Sequence, residues 1–230
     1  MGALSVFETA LSVWGTLLLT FGLAVTIMNT IRWWSERRLL RELAEELFQG
    51  RVATPEDLLR LKQYLSCAIY PNVDRLNEPR PLLRYSAEEI LHNRFGFCGE
   101  NARVSILLLL LGGVRANRIY MEGKNWGHVA VEHFWQGRWC LFDAHNDPCT
   151  ILPDASIGAV SSESFEAFPQ RRENPWQRVY RVKLFHRIPM LRALEQMRLP
   201  RVIVQTFESP FLLKALVGLS VASVGYLFLS

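Results

Sequence analysis

The chain has 230 residues, a formal net charge of +4, and a composition that is 50% hydrophobic and 21% charged. A mean hydropathy of +0.08 and a pI near 9.0 exclude a disordered chain and a nucleic-acid-binding tail, and four scattered cysteines exclude a disulfide scaffold. The cations are nearly all arginine, since Lys62, Lys124, Lys183 and Lys214 are the only lysines; guanidinium groups fork onto carboxylates and phosphates, so lipid headgroups are suitable partners.

No charged residue occurs between Thr9 and Ile31, and most of that stretch is apolar. Its length suits a bilayer-spanning helix, which needs roughly 20 such residues. A cleaved signal peptide is the rival reading. The only charge before the stretch is Glu8, however, and directly after it stands Arg32-Trp33-Trp34-Ser35-Glu36-Arg37-Arg38. Tryptophans and arginines at the exit suit an interfacial anchor better than a cleavage site. A transmembrane helix is therefore expected over 1–31.

Ser35 is placed to cap a second helix that runs to Phe48 and ends at Gly50. Thr54-Pro55-Glu56-Asp57 is a helix start, with a cap, a proline in the first turn and acids behind it; Leu58, Leu61, Leu65, Ala68 and Ile69 then share a face to about Tyr70. Pro71, Pro79 and Pro81 mark a loop, in which 77–83 is a candidate cleft lining. Ser86 and Glu89 have capping-box spacing for a short helix to Asn93. After Phe95-Gly96-Phe97-Cys98-Gly99 comes a helix, Ala102 to Leu111, apolar on nearly all sides, which belongs in the middle of a domain. Gly112-Gly113 stops it.

The period then changes to two, and strands of an antiparallel sheet are expected over 116–121, 128–135, 138–143 and 178–185. The stretch from Pro189 to Leu199 reads as an amphipathic helix that either lies on a membrane leaflet or packs on the domain. Residues 201–230 form the second transmembrane segment. After Pro210 its only charge is Lys214, which can snorkel. Gly218, Ala222 and Gly225 form a small-residue face that could receive Gly15 and Gly22, although small residues are common in membrane helices generally. Between Gln170 and Arg201, nine arginines and lysines stand against two glutamates. That bias puts the middle of the chain on the cytoplasmic side of an inner or plasma membrane and both termini opposite.

Chemistry concentrates in the middle. Cys98 begins the buried helix, where free N–H groups and the dipole favour thiolate and can cradle an oxyanion. A buried cysteine with a packing role is the plain alternative. Downstream, Gly127 to Trp135 and Arg138 to Asp143 read as a hairpin turning at Gln136-Gly137, so that Trp135 faces Arg138, His128 faces His145 and Ala130 faces Asp143. His128 and Asp143 are then diagonal neighbours on one face, and the small Ala130 between them leaves room for the cysteine helix. A thiol, a base and a carboxylate to orient the base follow the logic of thiol catalysis. His133 points to the other face, and His92 and His186 have no such company. Asp143, His145, Asp147 and Cys149 alternate like metal ligands, but zinc sites use tighter pairs; no cofactor is required, and His145 is expected to fill out the surroundings of Asp143.

Together Gly96-Phe97-Cys98-Gly99-Glu100-Asn101-Ala102, Gly127-His128-Val129-Ala130-Val131-Glu132, Gly137-Arg138-Trp139 and Phe142-Asp143 resemble the transglutaminase-like superfamily, here as a membrane-anchored, bacterial-type member. The resemblance covers about 86–148 within a domain over 32–200. It implies an α+β, papain-like fold, with N-terminal helices and a central helix on an antiparallel sheet, in which Cys98 is nucleophile, His128 base and Asp143 orienting acid. The family's second oxyanion donor has no clear match; Asn125 and Trp126 are candidates. The implied activity is attack on an amide or peptide bond through a Cys98 thioester, with hydrolysis by a cysteine peptidase or amidase favoured over transglutaminase-type acyl transfer, because keeping water off a thioester takes a lidded channel. Expected partners are a protein or peptide substrate, the bilayer, a membrane-protein complex and no nucleic acid. The alternative is a non-catalytic membrane scaffold that uses the same fold to hold a peptide or protein; a third reading keeps the enzyme and places it outside the membrane.

Overall fold

A computed structural model describes residues 2–71, 84–124, 127–145 and 176–229. Asn125, Trp126, the 77–83 stretch, Asp147 and Cys149 lie outside the described residues. The elements are α1 (Gly2–Phe48), α2 (Pro55–Ala68), α3 (Ala87–Asn93), α4 (Cys98–Leu111), β1 (Ala116–Gly123), β2 (Gly127–Trp135), β3 (Arg138–Phe142), β4 (Trp176–Tyr180), α5 (Lys183–Arg187), a 3₁₀ turn (Pro189–Leu194), α6 (Arg201–Glu208) and α7 (Pro210–Leu227). The fold is α+β. The chain divides into two compact units, one of the residues up to Arg38 with those from Ser209 onward, the other Leu39–Glu208.

In the first unit, α1 and α7 are long and apolar enough to cross a membrane. They touch backbone to backbone through their small residues. A methyl group on Gly22 would lie 2.4 Å from the Ala222 nitrogen, and one on Gly225 would lie 2.4 Å from the Leu19 nitrogen. That approach also lets the Thr26 hydroxyl donate to the Ala215 carbonyl across the pair, at 3.2 Å. At the Ser209 end, the Ser209 hydroxyl donates to the buried Glu36 carboxylate at 2.9 Å and accepts from the Leu212 amide as the cap of α7. Trp14, Phe21, Ile27, Ile31 and Trp34 are turned outward and exposed.

Ser35 is not a cap. One helix runs through it to Phe48, because nothing between Ile31 and Phe48 breaks the i to i+4 ladder and a serine inside a long helix costs only a few tenths of a kcal/mol. The expected C-terminal segment is also divided. Residues 201–208 form the separate helix α6 in the second unit, and the continuous apolar helix starts at Pro210.

The second unit is built around α4. Val104, Ile106, Leu108 and Leu109 are wholly buried, each stabilising by ~1.5–3 kcal/mol relative to exposure. They pack with Leu40 and Leu43 of α1, Leu61 and Leu65 of α2, and Ala116, Val131 and Phe142 of the sheet. Caps Thr54 and Ser86 each close a capping box, with Asp57 and Glu89. The sheet is antiparallel in the order β3-β2-β1-β4. Its β2–β3 hairpin has Trp135 opposite Arg138 and Val131 opposite Phe142. Gln136 and Gly137 have φ of 48° and 83°, the left-handed pair that a two-residue turn matching strand twist needs.

The last strand is shorter than expected. Pairing with β1 ends at Tyr180 opposite Tyr120, and the next amides, Arg181 and Val182, donate instead to the Glu195 carbonyl. Freed from the ladder, residues 183–187 wind into α5. The Pro189 segment likewise forms only a 3₁₀ turn to Leu194.

Candidate active site

The cysteine is delivered by a pinned loop. The Tyr70 amide donates to Arg94 O and the Gly96 amide to Tyr70 O, both at 3.1 Å. At Gly96 a side chain would strike Glu100 Cβ at 2.6 Å and Ile69 at 2.9 Å, so the loop folds tightly onto α2. The Glu100 carboxylate turns back to accept from the Phe97 amide at 3.1 Å. This leaves Cys98 as the first residue of α4, in the turn whose N–H groups lack intrahelical acceptors.

His128 and Asp143 meet as the hairpin register requires. His128 Nε2 lies 2.6 Å from Asp143 Oδ2, and both side chains are buried. Asp143 Oδ1 accepts from the His145 amide at 3.1 Å, which orients the carboxylate. With Nε2 engaged by Asp143, Nδ1 is the ring nitrogen that remains for the Cys98 thiol, with which His128 is hydrogen-bonded. The three expected residues are therefore brought together.

The electrostatics run in opposite directions across that contact. Burial raises the pKa of the Cys98 thiol, but the hydrogen bond and charge of His128 and the Val129 backbone outweigh it and bring the thiol below its ordinary value. Burial opposes the charged form of His128 as well, yet the hydrogen bonds to Asp143 and Cys98 hold it up at about 9. A sulfur pushed down and an imidazole pushed up favour a thiolate–imidazolium pair over the neutral thiol and imidazole.

The route by which the cysteine approaches the sheet differs from the expectation. Ala130 packs with Ile119, Met121, Leu141 and Val179 in a separate cluster, whereas Val131 packs with α4 and Val129 against the same core. Neighbouring strand residues face opposite sides, so α4 lies over Val129 and Val131. The sulfur reaches His128 at the start of β2, beside the Val129 backbone.

The other histidines have separate roles. His145 stacks near His128, with ring centroids 6.2 Å apart. His133 is buried edge-on to Phe142, where burial and the charge of Lys62 hold its pKa down to about 4. His186 stacks on Tyr180 and pairs with Glu195 at 2.8 Å, and His92 is exposed. Among the described residues, no group of three or more His, Cys, Asp or Glu side chains is placed to hold a metal ion. Sequence reasoning missed a cluster of cations beside Gly99, where Arg84 Nη1 and Arg118 Nη1 stand 3.0 and 3.6 Å from the position a Cβ would occupy. The one available signal was Arg118, a charge directly before the apolar run Ile119-Tyr120-Met121 of β1.

No family model matches the sequence, and no curated protein matches it either. Among solved structures, a candidate cysteine protease from Cytophaga hutchinsonii aligns over 47% of this chain and 37% of its own, with 22% identity and a TM-score of 0.39.

Proposed function

We propose that the chain is a membrane-anchored, transglutaminase-like cysteine enzyme that cleaves an amide or peptide bond through a thioester at Cys98. The observation that carries this reading is the half-buried Cys98 at the first turn of a core helix, coupled to the buried His128–Asp143 pair. The Cys98 thiolate attacks the carbonyl carbon, and the new oxyanion is met by the Cys98 N–H, aimed outward at the end of the helix dipole. The His128 imidazolium passes its proton to the amine as the C–N bond breaks, leaving a thioester and a neutral imidazole. That imidazole takes a proton from water, the hydroxide adds, and the acid leaves as the thiolate returns. Asp143 keeps the ring in the tautomer and orientation both steps use. Hydrolysis is preferred to transfer because water must be excluded for an amine to compete.

The test is mass spectrometry of Cys98 after incubation with native membranes, where a thioester-linked acyl adduct is expected on the wild type. Replacing Cys98 with Ala should abolish the adduct and lower turnover by at least about a thousandfold without changing the thermal transition. Wild-type protein that forms no adduct, and a C98A variant that retains full cellular function, would leave a scaffold as the better reading.

The anchoring part of the proposal is that α1 and α7 span the bilayer, with the α+β unit cytoplasmic and both termini opposite. It rests on the two apolar helices and on the arginine flanks. A cysteine introduced beside Arg37 should be labelled by an impermeant maleimide in inverted vesicles and be silent in right-side-out ones; the reverse pattern would place the enzyme outside.

A further inference from the structure

Beside the triad, and not used by it, the second unit holds a cavity of about 540 Å³, within the range of small-molecule sites. Its lining has two characters. One part is cationic, with Arg84, Arg103, Arg118, Arg181 and Lys183 against the single carboxylate of Glu208 among the described lining residues. The rest is apolar and includes Leu184, Phe185, Ile203 and Phe207.

The cations are unequally satisfied. Arg118 spends Nε and Nη2 on Glu208, at 2.7 and 2.6 Å, and Arg103 shares that carboxylate at 3.5 Å. Arg181 is held by Glu132 through two bonds, at 2.6 and 2.8 Å. That leaves Arg118 Nη1, which faces Gly99 beside Arg84 Nη1, and the Lys183 ammonium, which sits 5.5 Å from the centre of the Tyr120 ring that Arg118 also overlies. Burial and the neighbouring cations Arg187, Arg84 and Arg118 lower the pKa of Lys183 against the opposing charge of Glu122. Three cationic groups lining one cavity suit a phosphate better than a carboxylate, because a phosphate offers more oxygens and a larger charge to guanidinium forks.

The apolar walls say what the phosphate is attached to. An inorganic anion gains nothing from Leu184, Ile203 and Phe207, which are partly exposed without a ligand, whereas a hydrocarbon chain would cover them. In sequence, α6 contributes Ile203 and Phe207 and is followed after Ser209 by the apolar helix α7. We propose that this cavity binds an anionic lipid, its phosphate among Arg84, Arg118 and Lys183 and its acyl chain along Leu184, Phe185, Ile203 and Phe207. The head then lies beside Gly99, the residue after Cys98, although lipid binding does not depend on the thiol.

The experiment uses the full chain in phosphatidylcholine nanodiscs, with a decyl phosphate probe bearing a terminal diazirine. Photolabelling is expected in peptides containing 183–187 and 201–208, and unlabelled decyl phosphate should compete better than decanol or inorganic phosphate. Arg84→Gln and Lys183→Gln should each weaken labelling by roughly tenfold, as for one lost charge-assisted hydrogen bond. Cys98→Ala should label like the wild type, so failure of the catalytic reading leaves this one standing. Equal competition by inorganic phosphate would overturn the lipid assignment, and equal competition by decanol the anionic one. Labelling confined to α1 and α7 would overturn the site altogether, and because the competition arms use wild-type protein they decide the matter even if a variant misfolds.

Discussion

At the residue scale, Cys98 and His128 titrate as a pair, and the sign of each shift sets the shape of the pH profile. The thiol is lowered and the imidazole raised to about 9, so the charged pair is expected between those limits. Alkylation of Cys98 by iodoacetamide should therefore set in below the pH of an ordinary thiol and stay high on the alkaline side, since it needs only thiolate. Turnover should instead fall as pH rises through about 9, because the leaving amine needs the His128 proton. Asp143→Asn removes groups that raise His128, so the alkaline limb should move to lower pH in rate measurements on that variant. An unmoved limb would mean that another group titrates there.

At the scale of elements, the α1–α7 pair depends on an absence of side chains. With the Ala222 nitrogen 2.4 Å from a Cβ at position 22, Gly22→Val must part the helices, whereas Ala24→Val on the exposed side of the same helix should be tolerated. A loss of ~1–3 kcal/mol is expected for the first and little for the second, read as the thermal transition of the full chain in a bilayer. The small-residue spacing was legible in the sequence, but not that the two faces meet, since the same residues occur in membrane helices that pack on nothing. The β2–β3 hairpin was legible down to its register because a two-residue turn determines every pair behind it. Ser35, in contrast, resembles a cap and is not one, because capping depends on where the preceding residues go and not on the hydroxyl.

Across the whole molecule, distant segments are tied together by buried charge. Glu208 closes on Arg118 and Arg103, and Glu132 on Arg181 and Arg198, joining the end of the α+β unit to its helix and sheet. Removing one partner of such a set strands the others in a poor dielectric. Glu208→Gln should therefore cost about 3–5 kcal/mol, measured as a lower urea midpoint with an unchanged slope. A surface-like loss of a few tenths would show that water reaches the cluster.

The sequence by itself determined the apolar ends, the capped helices, the turn of the hairpin and the three candidate residues, because each is written in a few neighbouring positions whose physics is local. Only the tertiary structure decided that α4 approaches over Val129 and Val131 rather than Ala130, that strand β4 gives way to a helix after Val182, and that arginines from remote segments converge beside Gly99. Those outcomes depend on which chain segment competes for a given hydrogen bond, cavity or carboxylate, and the competitors lie tens of residues away.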